Sequence, residues 1–180
     1  MTQSQAMISV AEARTLLIKN IRPLPAVECG LQEAFGRILA APVISAIDVP
    51  PFDNSAMDGY ALAFQSGIGS YRLNGIARAG DNPGPVEAGT AVRIFTGAPI
   101  PEGCDTVVQQ EIVSNDGTFI HFAPESIKAG MNVRYRGSQN RCGDQVASAG
   151  SLITPGLIGL IASVGVEKLR IFPAPSVGIL

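Results

Sequence analysis

The sequence predicts an α+β, mainly β fold: a β-rich domain over residues 45–143, inserted into a small discontinuous α/β domain made of residues 26–44 and 144–176. A helical segment, residues 1–25, precedes it. Three observations predict this arrangement. Helical patterning is confined to the two ends, at "SVAEARTLLIKN" and "TPGLIGLIASVG". Between them, short β-leaning runs are separated by Gly, Pro, Asn and Asp. The 20 glycines and 13 prolines among 180 residues exceed the roughly 12% of an average protein, which favours many turns and short strands.

Taken in order, Ser9 with Glu12 three residues on has capping-box spacing, and Val10, Ala13, Leu17 and Ile21 fall on one face, so residues 9–20 read as an amphipathic helix. Pro23 and Pro25 stop it. Residues 27–43 read as strand, single turn and strand around "EAFGR". The middle runs "GYALAF", "YRLNGIA", "AVRIFT", "TVVQQEIV", "TFIHFA" and "NVRYR" read as strands. "SNDGTF" reads as a hairpin, since Asp-Gly suits a type I′ turn. Thr154 as N-cap with Pro155 at the first position opens a second helix, and "KLRIFPAPSVGIL" supplies two short strands. The final "SVGIL" reads as a buried strand leading onward into a further domain.

A chain of this length can build a substantial core. Hydrophobic residues make up 46% and the net charge is −2, which argues against disorder and against a general electrostatic grip on nucleic acid or an anionic membrane. The start has no basic, then apolar, secretory pattern, and the most apolar window, "LITPGLIGLIASVGV", is broken by Pro155 and glycines. The reading is soluble and cytoplasmic. Cys29, Cys104 and Cys142 form no C-x-x-C pair and have only His121 as a histidine, which argues against zinc and for a reduced compartment; His121 itself reads as structural.

Three stretches could carry chemistry. In "DVPPFDNSAMDGYAL", Pro50 and Pro51 stiffen the chain, and Asp53, Asn54 and Ser55 either bond their own backbone as a turn or line a site. Asp58 stands where this loop enters a strand and can aim a carboxylate into a cleft, sharing a hard cation such as Mg²⁺ with Asp53. In "IFTGAPIPEG", Thr96-Gly97 ends a strand, so the backbone can reach positive φ and turn N–H groups toward an anion; a plain turn is the other reading. In "NVRYRGSQNR", Arg134 and Arg136 share a face if the strand continues, and Gly137 permits a tight turn, so together with Arg141 they could hold a phosphate or diphosphate.

"GRILA", "DVPPFDNSAMDGYAL", "VRIFTGAPIPEGCDTVV" and "GMNVRYRG", long and in order over nearly the whole chain, resemble the MoeA and gephyrin E-domain family of molybdopterin molybdotransferases. The resemblance implies a transferase of molybdenum cofactor biosynthesis that inserts molybdate into adenylylated molybdopterin, with Mg²⁺ bound and AMP released. It implies a homodimer whose cleft lies between the β-rich domain of one subunit and a Rossmann-like third domain of the other. On that likeness residues 177–180 begin the missing molybdopterin-binding domain, a fourth β-barrel domain is also absent, and residues 1–25 pack on the absent third domain. The fragment alone is then expected to be inactive.

Carried over by motif, Asp58 and Thr96 are the catalytic pair, with Asp58 the metal ligand. Asp53, Asn54, Ser55, Gly97, Arg134, Arg136, Gly137 and Gln139 bind substrate or anion. The family's arginine loop ends R-G-E-D, whereas here Ser138 and Gln139 replace the two acids. Gln139 can donate to an oxyanion but cannot supply a carboxylate's charge. The expected partners are the second subunit, the two substrates, molybdate or tungstate being the oxyanion, and the molybdopterin adenylyltransferase, with no nucleic acid and no membrane. Two other readings stand beside this: a non-catalytic dimerisation or scaffold module of the same family, and a Mg²⁺-dependent phosphohydrolase using Asp53 or Asp58.

Overall fold

The structure, a computed structural model, describes residues 7–179. Its helices are α1 (Val10–Asn20) and α2 (Pro155–Ser163). Its strands are β1 (Val27–Gly30), β2 (Ile38–Leu39), β3 (Val43–Ile44), β4 (Asn54–Ser55), β5 (Gly59–Leu62), β6 (Ser70–Ala77) and β7 (Thr90–Ile94). They continue with β8 (Thr106–Gln109), β9 (Ser114–Asn115), β10 (Phe119–His121), β11 (Val133–Arg134), β12 (Gln145–Ala147) and β13 (Lys168–Phe172). The fold is α+β and mainly β, and the chain divides into two compact units, one of residues up to 43 with 147–162 and 167 onward, the other of residues 44–146 with 163–166.

In the first unit, β13 lies between β1 and β2 in an antiparallel sheet. Leu169 and Ile171 are buried while Lys168 and Arg170 are exposed, the period-2 alternation of a half-buried strand. Ala34, Leu39, Val43, Ile153 and Ile161 are buried with them in this unit. Thr154 caps α2 by accepting from the Leu157 N–H at 3.2 Å. Ser9 and Glu12 form the full capping box of α1, Oγ of Ser9 accepting from the Glu12 N–H and the Glu12 carboxylate accepting from the Ser9 N–H. The capped helix nevertheless buries no residue: Val10, Leu17 and Ile21 are 87%, 62% and 64% exposed. The expected second strand in "KLRIFPAPSVGIL" does not form among the described residues, because nothing there offers residues 173–179 a ladder partner, and Val177 and Ile179 stay exposed.

The second unit is organised by a six-stranded sheet in the order β8-β5-β7-β6-β10-β9. β5 pairs antiparallel with β7 and β8 and is buried on both faces, so its sequence reads as an unbroken apolar run. Tyr60 and Leu62 point into a core with Tyr71, Val108, Ile120 and Phe122, while Ala61 joins Ala77, Val92, Ile94 and Val107 in another. Gly59, which opens β5, has no room for a side chain, since a Cβ there meets the Val108 carbonyl oxygen at 2.1 Å. The β9–β10 hairpin exists but is not type I′. Of Asp116 and Gly117 only Gly117 has positive φ (93°), and the Asp116 carboxylate shapes the turn instead by accepting from the Thr118 and Phe119 N–H groups.

Candidate functional site

Three loops of the second unit are tied together by main-chain hydrogen bonds. The Ser55 carbonyl accepts from the Gly97 N–H at 2.9 Å, the Ser55 N–H donates to Ala98, and the Ile100 N–H donates to Asp53. On the other side β4 pairs with β11, the Gly137 N–H donates to Pro50, and the Gln139 and Asn140 N–H groups both donate to Val49. The stretch from Asp48 to Asp58, which begins with a cis Val49–Pro50 bond, is thus flanked by the threonine loop and the arginine loop.

The side chains divide accordingly. Asp58, half-buried just before β5, accepts with Oδ1 from both the Thr96 N–H (2.8 Å) and the Thr96 hydroxyl (2.9 Å). The Thr96 N–H, then its hydroxyl, hold the Asp58 carboxyl below the ordinary carboxylate value, with a smaller contribution from the positive charge of Arg93. Asp58 is therefore an ionised carboxylate at neutral pH. Gly97 has φ of +81°, the left-handed region a glycine takes without strain. In this structure the Thr96 N–H faces Asp58 and the Gly97 N–H faces Ser55, so the strand-end donors are used within the protein and not aimed at an open anion site.

Asn54 and Ser55 are buried, and their side chains serve the loop's own backbone: Nδ2 of Asn54 donates to Phe52 and Oγ of Ser55 donates to Met57. Asp53 is exposed and accepts from the Arg136 N–H at 2.7 Å. The expectation that Arg134 and Arg136 share a strand face is corrected. β11 ends at Arg134 and Arg136 lies in the turn before Gly137 (φ 66°), because the Asp53 and Asp48 carboxylates and the Pro50 carbonyl draw that segment out of the ladder. Ser138 and Gln139 are exposed beyond it.

Two residues that bear on the site were missed from sequence. Asp48 accepts from Nε of Arg136 at 2.6 Å and from the Cys142 N–H at 2.9 Å. Arg93 donates to the Gly59 carbonyl at 2.9 Å and to the Gln110 amide oxygen, and its guanidinium lies 5.2 Å from the Tyr60 ring centre and 4.8 Å from that of Phe95. The available signal for Arg93 was a lone charge in the apolar run "AVRIF"; for Asp48 it was a third aspartate ahead of two prolines. His121 sits apart on the β9–β10 hairpin, 3.4 Å from Asp116.

The donor set suits a partial cation site. Among the described residues no three His, Cys, Asp or Glu side chains converge as a metal cage requires. One ionised carboxylate, with one oxygen already oriented, fits the habit of Mg²⁺ to bind through one or two carboxylates together with waters and substrate phosphates. No helix among the described residues is long and apolar enough to cross a membrane.

Fold and site define a class: residues 8–165 match the family model for the MoeA N-terminal region (domain I and II), and the chain belongs to that family. A molybdopterin molybdenumtransferase of Haemophilus influenzae is 40% identical over 97% of this chain and 44% of its own length. One of Staphylococcus aureus (strain Mu50) is 31% identical over 96% and 43%. The crystal structure of the molybdopterin biosynthesis moeA protein of Pyrococcus horikoshii OT3 superposes with a TM-score of 0.80 at 29% identity, over 93% of this chain and 46% of that one. The chain therefore spans less than half the length of these relatives.

Proposed function

We propose that this chain forms one wall of the active cleft of a molybdopterin molybdotransferase, the cytoplasmic enzyme that inserts molybdate into adenylylated molybdopterin and releases AMP in molybdenum cofactor biosynthesis. The observation that carries the reading is the Asp58–Thr96 contact, which joins two motif residues 38 positions apart and keeps a carboxylate ionised at a loop–strand junction. Family membership and the names of the relatives support it.

In this reading both substrates are anions, so the wall must offer a cation site and fixed donors to bring them together. Asp58 holds Mg²⁺, which when bound offsets the charge that develops as the pyrophosphate breaks. Thr96 orients Asp58. Arg134 and Arg136 face the phosphoryl groups, Gly137 turns the loop that carries them, and Gln139 donates to an oxyanion where the family's acid would stand. Asp53, Asn54, Ser55 and Gly97 hold the loops in register. The pterin-binding surface belongs to the partner subunit of a homodimer, so we propose that this chain by itself does not turn over, and that the adenylyltransferase supplies its substrate.

The same-family scaffold reading draws on Ser138 and Gln139, which give up two charges of the arginine loop. Complementation separates the two. A longer protein carrying this chain is expected to restore molybdenum insertion in a strain lacking it, and its Asp58→Asn variant is expected to fail; failure of both would favour the scaffold.

A further inference from the structure

We propose that Asp48 is a positioning residue for the anion site: it orients the Arg136 guanidinium so that its outer edge faces a phosphoryl-type oxyanion. This rests on the reading of the arginine loop as an anion site. Arg136 is held at both ends. Asp53 takes its main-chain N–H at 2.7 Å, and Asp48 takes Nε of the guanidinium at 2.6 Å. The second oxygen of Asp48 takes the Cys142 N–H at 2.9 Å, so one carboxylate ties the head group of Arg136 to the far end of the same loop. Asp48 is 20% exposed whereas the Arg136 side chain is 67% exposed, the disposition of a fixed anchor carrying a presented head group.

Geometry explains why such an anchor matters. A guanidinium offers five N–H donors on a planar fork, and a carboxylate engaged through Nε alone leaves the end-on edge, one N–H from each Nη, for a second bidentate partner. Among the described residues Nε is the one nitrogen of that fork in a hydrogen bond, which leaves the bidentate edge for a ligand. A free arginine side chain must lose considerable rotamer freedom when it binds; one already clamped has lost it beforehand. Gly137 permits the arrangement through its φ of 66°, a left-handed backbone that a glycine takes without strain. The Cys142 N–H, and after it Arg136, hold the Asp48 carboxyl below its ordinary value, consistent with an ionised anchor.

The test is a mutant cycle read by NMR, with inorganic pyrophosphate as the probe and the 180-residue chain as the protein. Asp48→Asn and Arg136→Ala are each expected to weaken pyrophosphate binding about tenfold, the loss expected for a charge-assisted hydrogen bond. The double variant is expected to bind no more weakly than Arg136→Ala, because Asp48 acts through that residue. Additive losses, or an unchanged affinity in Asp48→Asn alongside a loss in Arg136→Ala, would overturn the proposal and leave the anion site standing. Absence of saturable binding in the wild-type chain, or full affinity in Arg136→Ala, would overturn the anion reading of the loop and this proposal with it. A measurement on the unmutated chain covers the case in which Asp48→Asn does not fold: the Arg136 Nε–H is expected to exchange with water more slowly than those of the other exposed arginines, and equal exchange would also overturn the proposal.

Discussion

Thr96 satisfies Asp58 with two donors at once, and that arrangement makes a prediction about protonation. The folded carboxyl titrates below its ordinary value of 3.8. Because the folded value is depressed, the contact's contribution to stability is present above that ordinary value and is lost as pH falls through the lower folded midpoint. Carbon-detected NMR titration is expected to place the Asp58 midpoint below 3.8 and to find it raised, though not fully restored, in Thr96→Val, since the main-chain N–H is the larger cause and survives that change. A midpoint at or above 3.8 in the wild-type chain would show that Thr96 does not hold Asp58. Residue-level chemistry was only partly legible in the sequence. Asp58 and Thr96 stand out by their motifs, but a contact across 38 positions is set by strand pairing that no local pattern displays. Asp48 and Arg93 escaped notice for the same reason, each acting on a partner brought near only by the fold.

At the level of elements, Gly59 shows how the site is anchored. β5 is pressed between β7 and β8, and a methyl at Gly59 would run into the Val108 carbonyl. Gly59→Ala is expected to lower stability by about 2 kcal/mol, read as a drop in the urea midpoint, because backbone neighbours cannot give way as side chains can. α1 makes the opposite prediction. Its capping box is worth about 1 kcal/mol to the helix, but the helix buries nothing. Ser9→Ala should therefore speed amide exchange within residues 10–20 and leave the global urea midpoint in place; a lowered midpoint would show that α1 packs on the rest of the chain. Both helices and most strands were legible from caps, periodicity and turn residues. The errors lay where tertiary partners decide: the arginine strand ends early because two aspartates claim Arg136, the hairpin turn is shaped by the Asp116 carboxylate, and residues 176–179 find no ladder among the described residues.

On the scale of the whole molecule, the sequence changes rhythm in its middle, and the structure there holds a six-stranded sheet with an apolar core on each face. The site loops lie together at the edge where β4 and β11 pair, beside the start of β5. Since the chain spans less than half the length of its relatives, the proposed reaction is to be measured with this chain joined to the further length that those relatives have. The direct measurement is conversion of adenylylated molybdopterin and molybdate to molybdenum cofactor and AMP, comparing wild type with a folded Asp58→Asn variant. The expected result is a loss of at least about a hundredfold, the scale on which a fixed electrostatic group at a reacting centre acts; turnover by Asp58→Asn at the wild-type rate would contradict the assignment of this wall to the active cleft.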